Sequence, residues 1–199
     1  VVGVNHQHIF NFRLDFDIDG EKNSFVEMNV KPFTGKGNPR GNAFYQEETL
    51  FALEKEAQRS IDPTQSRRWK VINPNVQSAQ GHHPSYAILF QDNVSALVGK
   101  ESMVRKRGRF MDHHIWTTRW KSQELHAAGT YPRQNPLREG LPRYSGDESI
   151  VNQDLVTWCT LSTTHIPRPE DWPLMPTTAV GFQLRPLAFF ERNPALDVP

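Results

Sequence analysis

The segment from His6 to Ile18 alternates in character residue by residue, and this constrains the fold more than any other feature of the chain. It reads His-Gln-His-Ile-Phe-Asn-Phe-Arg-Leu-Asp-Phe-Asp-Ile. In an extended strand, residues two apart point to the same face. His6 and His8 then stand side by side, and Phe10, Phe12, Leu14, Phe16 and Ile18 continue their face, so the imidazoles lie at the edge of an apolar layer. Arg13, Asp15, Asp17 and Asp19 occupy the odd positions and face away from the histidines. This parity predicts two sites of different character on opposite faces.

Elsewhere Pro and Gly punctuate the chain, with 15 Pro and 12 Gly, and the Pro are dense in the second half. Runs between these breakers suit strands of about 5 to 8 residues better than helices. The strands expected are His6 to Ile18, Ser24 to Val30, Trp69 to Ile72, Tyr86 to Phe90, His114 to Thr118, Leu155 to Leu161 and Thr178 to Leu184. Asp19-Gly20 is a turn signal that predicts a hairpin between the first two. The fold class is all-β. One segment dissents: Gln46 to Ile61 is rich in helix formers, with Leu50, Leu53 and Ala57 at helical spacing.

Lys and Arg number 23 against 22 Asp and Glu, which argues against the basic stripe that a nucleic-acid partner requires. The Arg105-Lys106-Arg107-Gly108-Arg109 run reads as a solvated loop or a contact between subunits. No apolar run approaches the roughly 18 to 20 residues needed to span a bilayer. Twenty-one aromatic residues (12 Phe, 5 Trp and 4 Tyr) supply large burying surfaces, so disorder is excluded by composition. The single cysteine, Cys159, precludes an internal disulfide framework. Asn93-Val94-Ser95 matches a glycosylation acceptor, a triplet too common to fix a compartment. The opening Val-Val-Gly-Val has neither Met nor a leader pattern, and reads as part of a longer polypeptide.

Two imidazoles two residues apart are half of a site for Cu, Zn or Fe. A third is needed, and His82-His83, His113-His114, His126 and His165 are the candidates. His165 stands out because Pro holds the chain after it rigid. The alternating carboxylates suit a harder cation such as Ca²⁺ or Mn²⁺, with the Phe16 carbonyl between two of them as a further ligand. The bland alternative for each is a structural histidine pair and a solvated acidic face.

Longer runs carry a resemblance. His-Gln-His-Ile-Phe-Asn-Phe-Arg-Leu-Asp-Phe-Asp-Ile-Asp-Gly from His6, Gly-Asn-Ala-Phe-Tyr-Gln-Glu-Glu-Thr-Leu from Gly41 and Trp-Lys-Val-Ile-Asn-Pro-Asn from Trp69 are three of them. Val-Asn-Gln-Asp-Leu-Val-Thr-Trp from Val151, Thr-His-Ile-Pro-Arg-Pro-Glu-Asp-Trp-Pro-Leu-Met-Pro from Thr164 and Phe-Phe-Glu-Arg-Asn-Pro-Ala-Leu-Asp-Val-Pro from Phe189 complete the set. The chain resembles, from end to end, the C-terminal part of the catalytic domain of the copper-containing primary amine oxidases, the topaquinone enzymes. Residues 1–199 are thus expected to be one incomplete domain, part of a large β-sandwich with few or no helices. The resemblance implies a copper ion held by His6, His8 and His165. It implies a second site for Ca or Mn made by Asp15, Asp17 and Asp154 with the carbonyls of Phe16 and Leu155, and it places Met175 near the copper and its oxygen route. It also implies a homodimer acting on primary amines and O₂, and puts Gln46 to Ile61 in strand against its propensity.

In that family the quinone is made from a tyrosine that follows Asn. Tyr45, Tyr86, Tyr131 and Tyr144 follow Phe, Ser, Thr and Arg. The cofactor tyrosine and the catalytic-base aspartate are therefore expected upstream, no catalytic residue is expected here, and the chain alone is expected to be inactive. The runner-up is a copper-binding β-module without catalysis. A cupin-like metal enzyme fits less well, because Phe12 and Arg13 stand where that family has Glu.

Overall fold

The computed structural model describes residues 3–133 and 139–197. Among these, eight strands form two antiparallel sheets: β1 (His6–Phe16), β2 (Ser24–Pro32), β3 (Phe44–Leu50), β4 (Arg68–Ile72), β5 (Ser85–Gln91), β6 (Ile115–Arg119), β7 (Leu155–His165) and β8 (Gly181–Leu187). One sheet runs β1-β7-β6 and the other β3-β2-β4-β5-β8. Among the described residues, helix is confined to α1 (Met103–Arg107), α2 (Leu141–Tyr144) and single 3₁₀ turns. The all-β expectation holds, and all seven expected strands form within a few residues of their expected bounds. The last is displaced: β8 starts at Gly181 and runs through Pro186, which an edge strand tolerates because its outward N–H needs no partner.

The two sheets pack through Phe16, Phe25, Trp69, Val71, Ile88, Ile115, Leu155 and Cys159, all buried. The other face of the three-stranded sheet is covered as well, where Trp116, Val156 and Trp158 meet Leu141, with Phe110, Ala127 and Tyr144 packed against them. Covering both faces of β7 explains why residues 155–162 are buried without alternation. A polar cluster lies in the first interface. Glu27, 2% exposed, accepts from Arg59 Nε and Nη2 at 2.8 and 3.0 Å and from Trp69 Nε1 at 3.0 Å, with Arg67 Nε at 3.2 Å.

Two expectations need correction. Asp19 and Gly20 do form a turn with positive φ, 51° and 108°, but β1 and β2 do not make a hairpin. The turn carries the chain from one sheet to the other, because Phe16, Ile18 and Phe25 all drive into the interface between the sheets. The Gln46–Ile61 segment is strand only as far as Leu50. Beyond it the chain makes a 3₁₀ turn at Glu54–Glu56 and isolated bridges at Leu53 and Arg59. Glu54 is wholly buried and accepts the backbone N–H groups of Arg119 and Gly146, which pins the segment out of both helix and sheet.

The basic run at residues 105–109 is partly paired within its own neighbourhood. Arg105 and Arg109 both pair with Asp112, and Lys106 pairs with Glu101.

Candidate metal centres

β1 and β7 pair in antiparallel register over eleven residues, from His6 opposite His165 to Phe16 opposite Leu155. Opposed residues share a face, so the register alone puts His6, His8 and His165 on one side of the ladder. The rings of His6 and His8 meet at 4.8 Å and those of His6 and His165 at 5.0 Å, both edge to face. His6 Nδ1 hydrogen-bonds the Val4 carbonyl at 2.8 Å, which makes its Nε2 the acceptor nitrogen. That Nε2 lies 3.1 Å from His8 Nε2, a spacing that two nitrogens take when each is about 2.0 Å from one metal. On His165 the tautomer is reversed: Nε2 meets Asp171 Oδ2 at 3.1 Å, leaving Nδ1 as the lone-pair nitrogen.

Asp171 is itself fixed. It is 4% exposed, accepts from Arg168 N at 2.9 Å, and receives Arg168 Nη2 at 3.2 Å. The Arg168 backbone N–H, the His165 ring and the Arg168 guanidinium hold its carboxyl below the usual carboxylate range. A carboxylate behind a metal-binding imidazole fixes the ring and raises its basicity. Three imidazoles, two with the non-donating nitrogen specified by a partner, fit a borderline metal such as copper.

At the opposite end of the ladder, about 30 Å away at roughly 3.3 Å per residue, Asp15, Asp17 and Asp154 bring carboxylate oxygens within 4.8 Å of one another. The Phe16–Leu155 register pair brings both candidate carbonyl ligands to the same end. Burial, with Asp15, Glu21 and Asp17 nearby, pushes the Asp154 carboxyl up, and Arg13 offsets this only in part. Its Oδ1 is buried without a hydrogen-bond partner. An orphaned carboxylate oxygen beside two others fits a hard cation. Parity and ladder length together keep the two centres apart.

The apolar layer beside the imidazoles is only partly covered. Phe16 is buried, whereas Phe10 and Phe12 are 48% and 45% exposed, with Phe182 of the second sheet reaching Phe12 at 5.6 Å. The remaining histidine candidates lie elsewhere. His83 bonds the Val76 carbonyl, His113 packs on Trp116, His114 is buried beside Phe90, and His126 lies on the exposed chain before Gly129. Met175 is 56% exposed on the connection to β8. The tyrosines lie on β3, on β5, in the 130s loop and in α2, with Tyr86 against Phe16 and Tyr144 against Trp158. Asn93 is occupied: its Nδ2 donates to Thr160 O at 3.0 Å and its Oδ1 accepts from Ser162 N at 2.6 Å, which ties up the nitrogen a glycan needs.

Sequence reasoning missed Asp171 and Gln7. Asp171 was visible as an acid within the Pro-rich run after His165. Gln7 was visible only as the residue between two candidate ligands.

A two-sheet antiparallel sandwich with an imidazole cluster and a carboxylate cluster at opposite ends of one ladder is a β-sandwich with two candidate metal centres. Its family is also shown. The model of the copper amine oxidase enzyme domain matches residues 1–199, and the chain belongs to the copper amine oxidase family. It is 43% identical over 196 residues to the histamine oxidase of Arthrobacter globiformis, covering 98% of this chain and 29% of that protein. It is 39% identical over 201 residues to peroxisomal copper-containing diamine oxidase 1 of Nicotiana tabacum, covering 98% of this chain and 26% of that one. The crystal structure of a copper-containing benzylamine oxidase from Hansenula polymorpha superposes with a TM-score of 0.86 at 34% identity, over 98% of this chain and 31% of that chain. The chain thus spans less than a third of the length of these relatives. Among the described residues no helix is long and apolar enough to cross a membrane.

Proposed function

We propose that residues 1–199 are the copper-binding, C-terminal portion of the catalytic domain of a primary-amine oxidase. The complete protein would convert a primary amine, O₂ and water to an aldehyde, ammonia and H₂O₂ through a tyrosine-derived quinone, as a homodimer. The observation that carries this reading is the pairing of His6 with His165, which gathers three imidazoles on one face. Membership of the family supports it.

In this reading His6 Nε2, His8 Nε2 and His165 Nδ1 hold copper. Bound there, the ion supplies redox and Lewis-acid chemistry toward oxygen and toward oxidation of the cofactor tyrosine. The chain's own residues do the positioning. The Val4 carbonyl and Asp171 fix which nitrogen of His6 and of His165 is free, and β1 and β7 hold the rings edge to face. Asp15, Asp17 and Asp154, with the Phe16 and Leu155 carbonyls, hold Ca²⁺ or Mn²⁺ and lock the far end of the same ladder. Met175 would lie near the copper and its oxygen route. None of the four tyrosines follows Asn, so the quinone and the base that takes the substrate's α-proton are assigned to residues outside this chain, which alone is inactive.

The test is the natural polypeptide that carries this sequence, run on a denaturing gel stained by quinone redox cycling and assayed for copper. A stained band several times larger than 22.9 kDa, with one copper per chain that is lost in His6→Ala, His8→Ala and His165→Ala, is the expected result. An unstained, copper-bearing band at 22.9 kDa would replace the oxidase with a non-catalytic copper module. Copper below stoichiometry in Cu²⁺-saturated material would overturn both. H₂O₂ release by the isolated 199 residues with a primary amine would overturn the assignment of the quinone to residues elsewhere.

A further inference from the structure

We infer that Gln7 is a positioning residue for the imidazole cluster, holding His6 and His8 at a common pitch from the opposite face of the strand. The inference rests on the copper reading above. β1 is an edge strand with β7 as its one neighbour in the sheet, and the histidines lie at its first turn of pleat. Strand ends open at low free energy, whereas a metal site needs its ligands held within about 0.5 Å. Something beyond the ladder must hold this end.

Gln7 does so with its whole amide. Its Nε2 donates to Thr164 Oγ1 at 2.9 Å and to the Ser95 carbonyl at 3.1 Å, and its Oε1 accepts from Leu97 N at 2.8 Å. Both donor hydrogens and the carbonyl are therefore in use. Thr164 is the register partner of Gln7 and the neighbour of His165, so the first of these bonds links the residue between His6 and His8 to the residue beside His165. The loop that Gln7 grips is anchored independently. Asn93 ties its start to Thr160 and Ser162 of β7, and Arg105, paired with Asp112, donates to the Val98 carbonyl at its end. The strand is thereby clamped to a fixed loop on the side away from the imidazoles. A side chain without these bonds would leave His6 and His8 free to roll with the strand.

The molecule contains its own control. Four residues along, on the same face, Asn11 donates to Thr160 Oγ1 at 3.0 Å across the register pair Asn11–Thr160. It makes the same kind of cross-strand bond, but without the loop and away from the histidines.

The experiment compares Gln7→Met and Asn11→Leu in the natural polypeptide, reading the Cu²⁺ dissociation constant by chelator competition, the Cu²⁺ EPR spectrum and the melting temperature of the metal-free protein. Gln7→Met should weaken copper about 10-fold, as loss of an outer-shell partner does, and shift or split the EPR hyperfine pattern. Asn11→Leu should lower the melting temperature comparably and leave affinity and spectrum as in the wild type. Gln7→Glu keeps the bond from Leu97 and can accept from the Thr164 hydroxyl, but it loses the bond to the Ser95 carbonyl; it should move affinity and spectrum in the same direction, by less, if the Met variant is insoluble. Equal copper parameters in Gln7→Met and Asn11→Leu, with wild-type copper intact, would overturn this inference alone. A wild type without stoichiometric copper would sink it together with the copper reading.

Discussion

His6 and His165 face each other as the terminal pair of an eleven-residue antiparallel ladder, with their rings edge to face at 5.0 Å. They are 159 positions apart in the chain. The pairing exists because β7 is buried on both faces, so its register is strongly specified: a slip of one residue would turn Leu155, Cys159 and His165 to the wrong side.

The first prediction concerns Asp171, which receives His165 Nε2. Asp171→Ala leaves the ring without its partner and its tautomer unspecified. Copper affinity should fall about 10-fold or more, with Asp171→Asn in between because the amide oxygen still accepts. Chelator competition on the purified protein measures this, and an unchanged affinity in the Ala variant would refute it.

At the other end of the ladder, Ca²⁺ should raise thermal stability through Asp15, Asp17 and Asp154. At a hundredfold excess over the dissociation constant the gain is about 2.7 kcal/mol. Asp17→Asn should abolish most of it while leaving copper content unchanged. Scanning calorimetry with and without Ca²⁺ decides the matter, and an equal calcium response in the variant would exclude this site.

Acid stability should depend on Glu27. Burial pushes its carboxyl up, but the hydrogen bonds from Arg59 and Asn29 and the charges of Arg59 and Arg67 outweigh burial, so it titrates below its ordinary value. A carboxyl depressed on folding contributes stability that is present above the unfolded value and lost as pH falls through the folded one. Glu27→Gln should cost about 3 kcal/mol at neutral pH, at the low end for a broken buried pair because Arg59 is one-third exposed. The gap to the wild type should narrow below about pH 4, the ordinary carboxylate range. Urea denaturation across pH measures it. A pH-independent difference would show that the carboxylate charge is not what matters.

Gly140 should not tolerate a side chain. It sits at φ 76°, and a Cβ there would run into the Ala127 carbonyl. Gly140→Ala should cost about 1–3 kcal/mol from the strained backbone, more once the contact is included, and loosen α2 and the packing of Leu141 under Trp158. Chemical denaturation that places the variant within about 0.5 kcal/mol of the wild type, the range of an ordinary surface change, would contradict this.

Much of the fold is legible in the sequence alone. Alternation from His6 to Ile18 identified β1 and its two faces, and Pro and Gly spacing located most of the other strands. Ordered motifs pointed to the family and hence to His165 and Asp154. The misjudged segments were those where local signals competed with packing. Asp19-Gly20 has hairpin chemistry, yet Ile18 and Phe25 on either side belong to a core between two sheets, so the turn became a crossover. Residues 51–61 satisfy neither propensity nor alternation because the carboxylate of Glu54 is taken by backbone donors remote in sequence, at the end of β6 and at Gly146.

What the sequence determined by itself is the chemistry on offer: which side chains share a face, which are imidazoles, which are carboxylates, and that Pro stiffens the chain beyond His165. Those properties are local, set by a two-residue period and by side-chain type. Only the tertiary structure decided which nitrogen of His6 and of His165 is free, that Asp171 stands behind His165 and Gln7 behind His6 and His8, and that Asp154 meets Asp15 and Asp17. Each of these depends on the register between strands that are remote in sequence, and register is set by burial of both faces of β7, which no local pattern encodes.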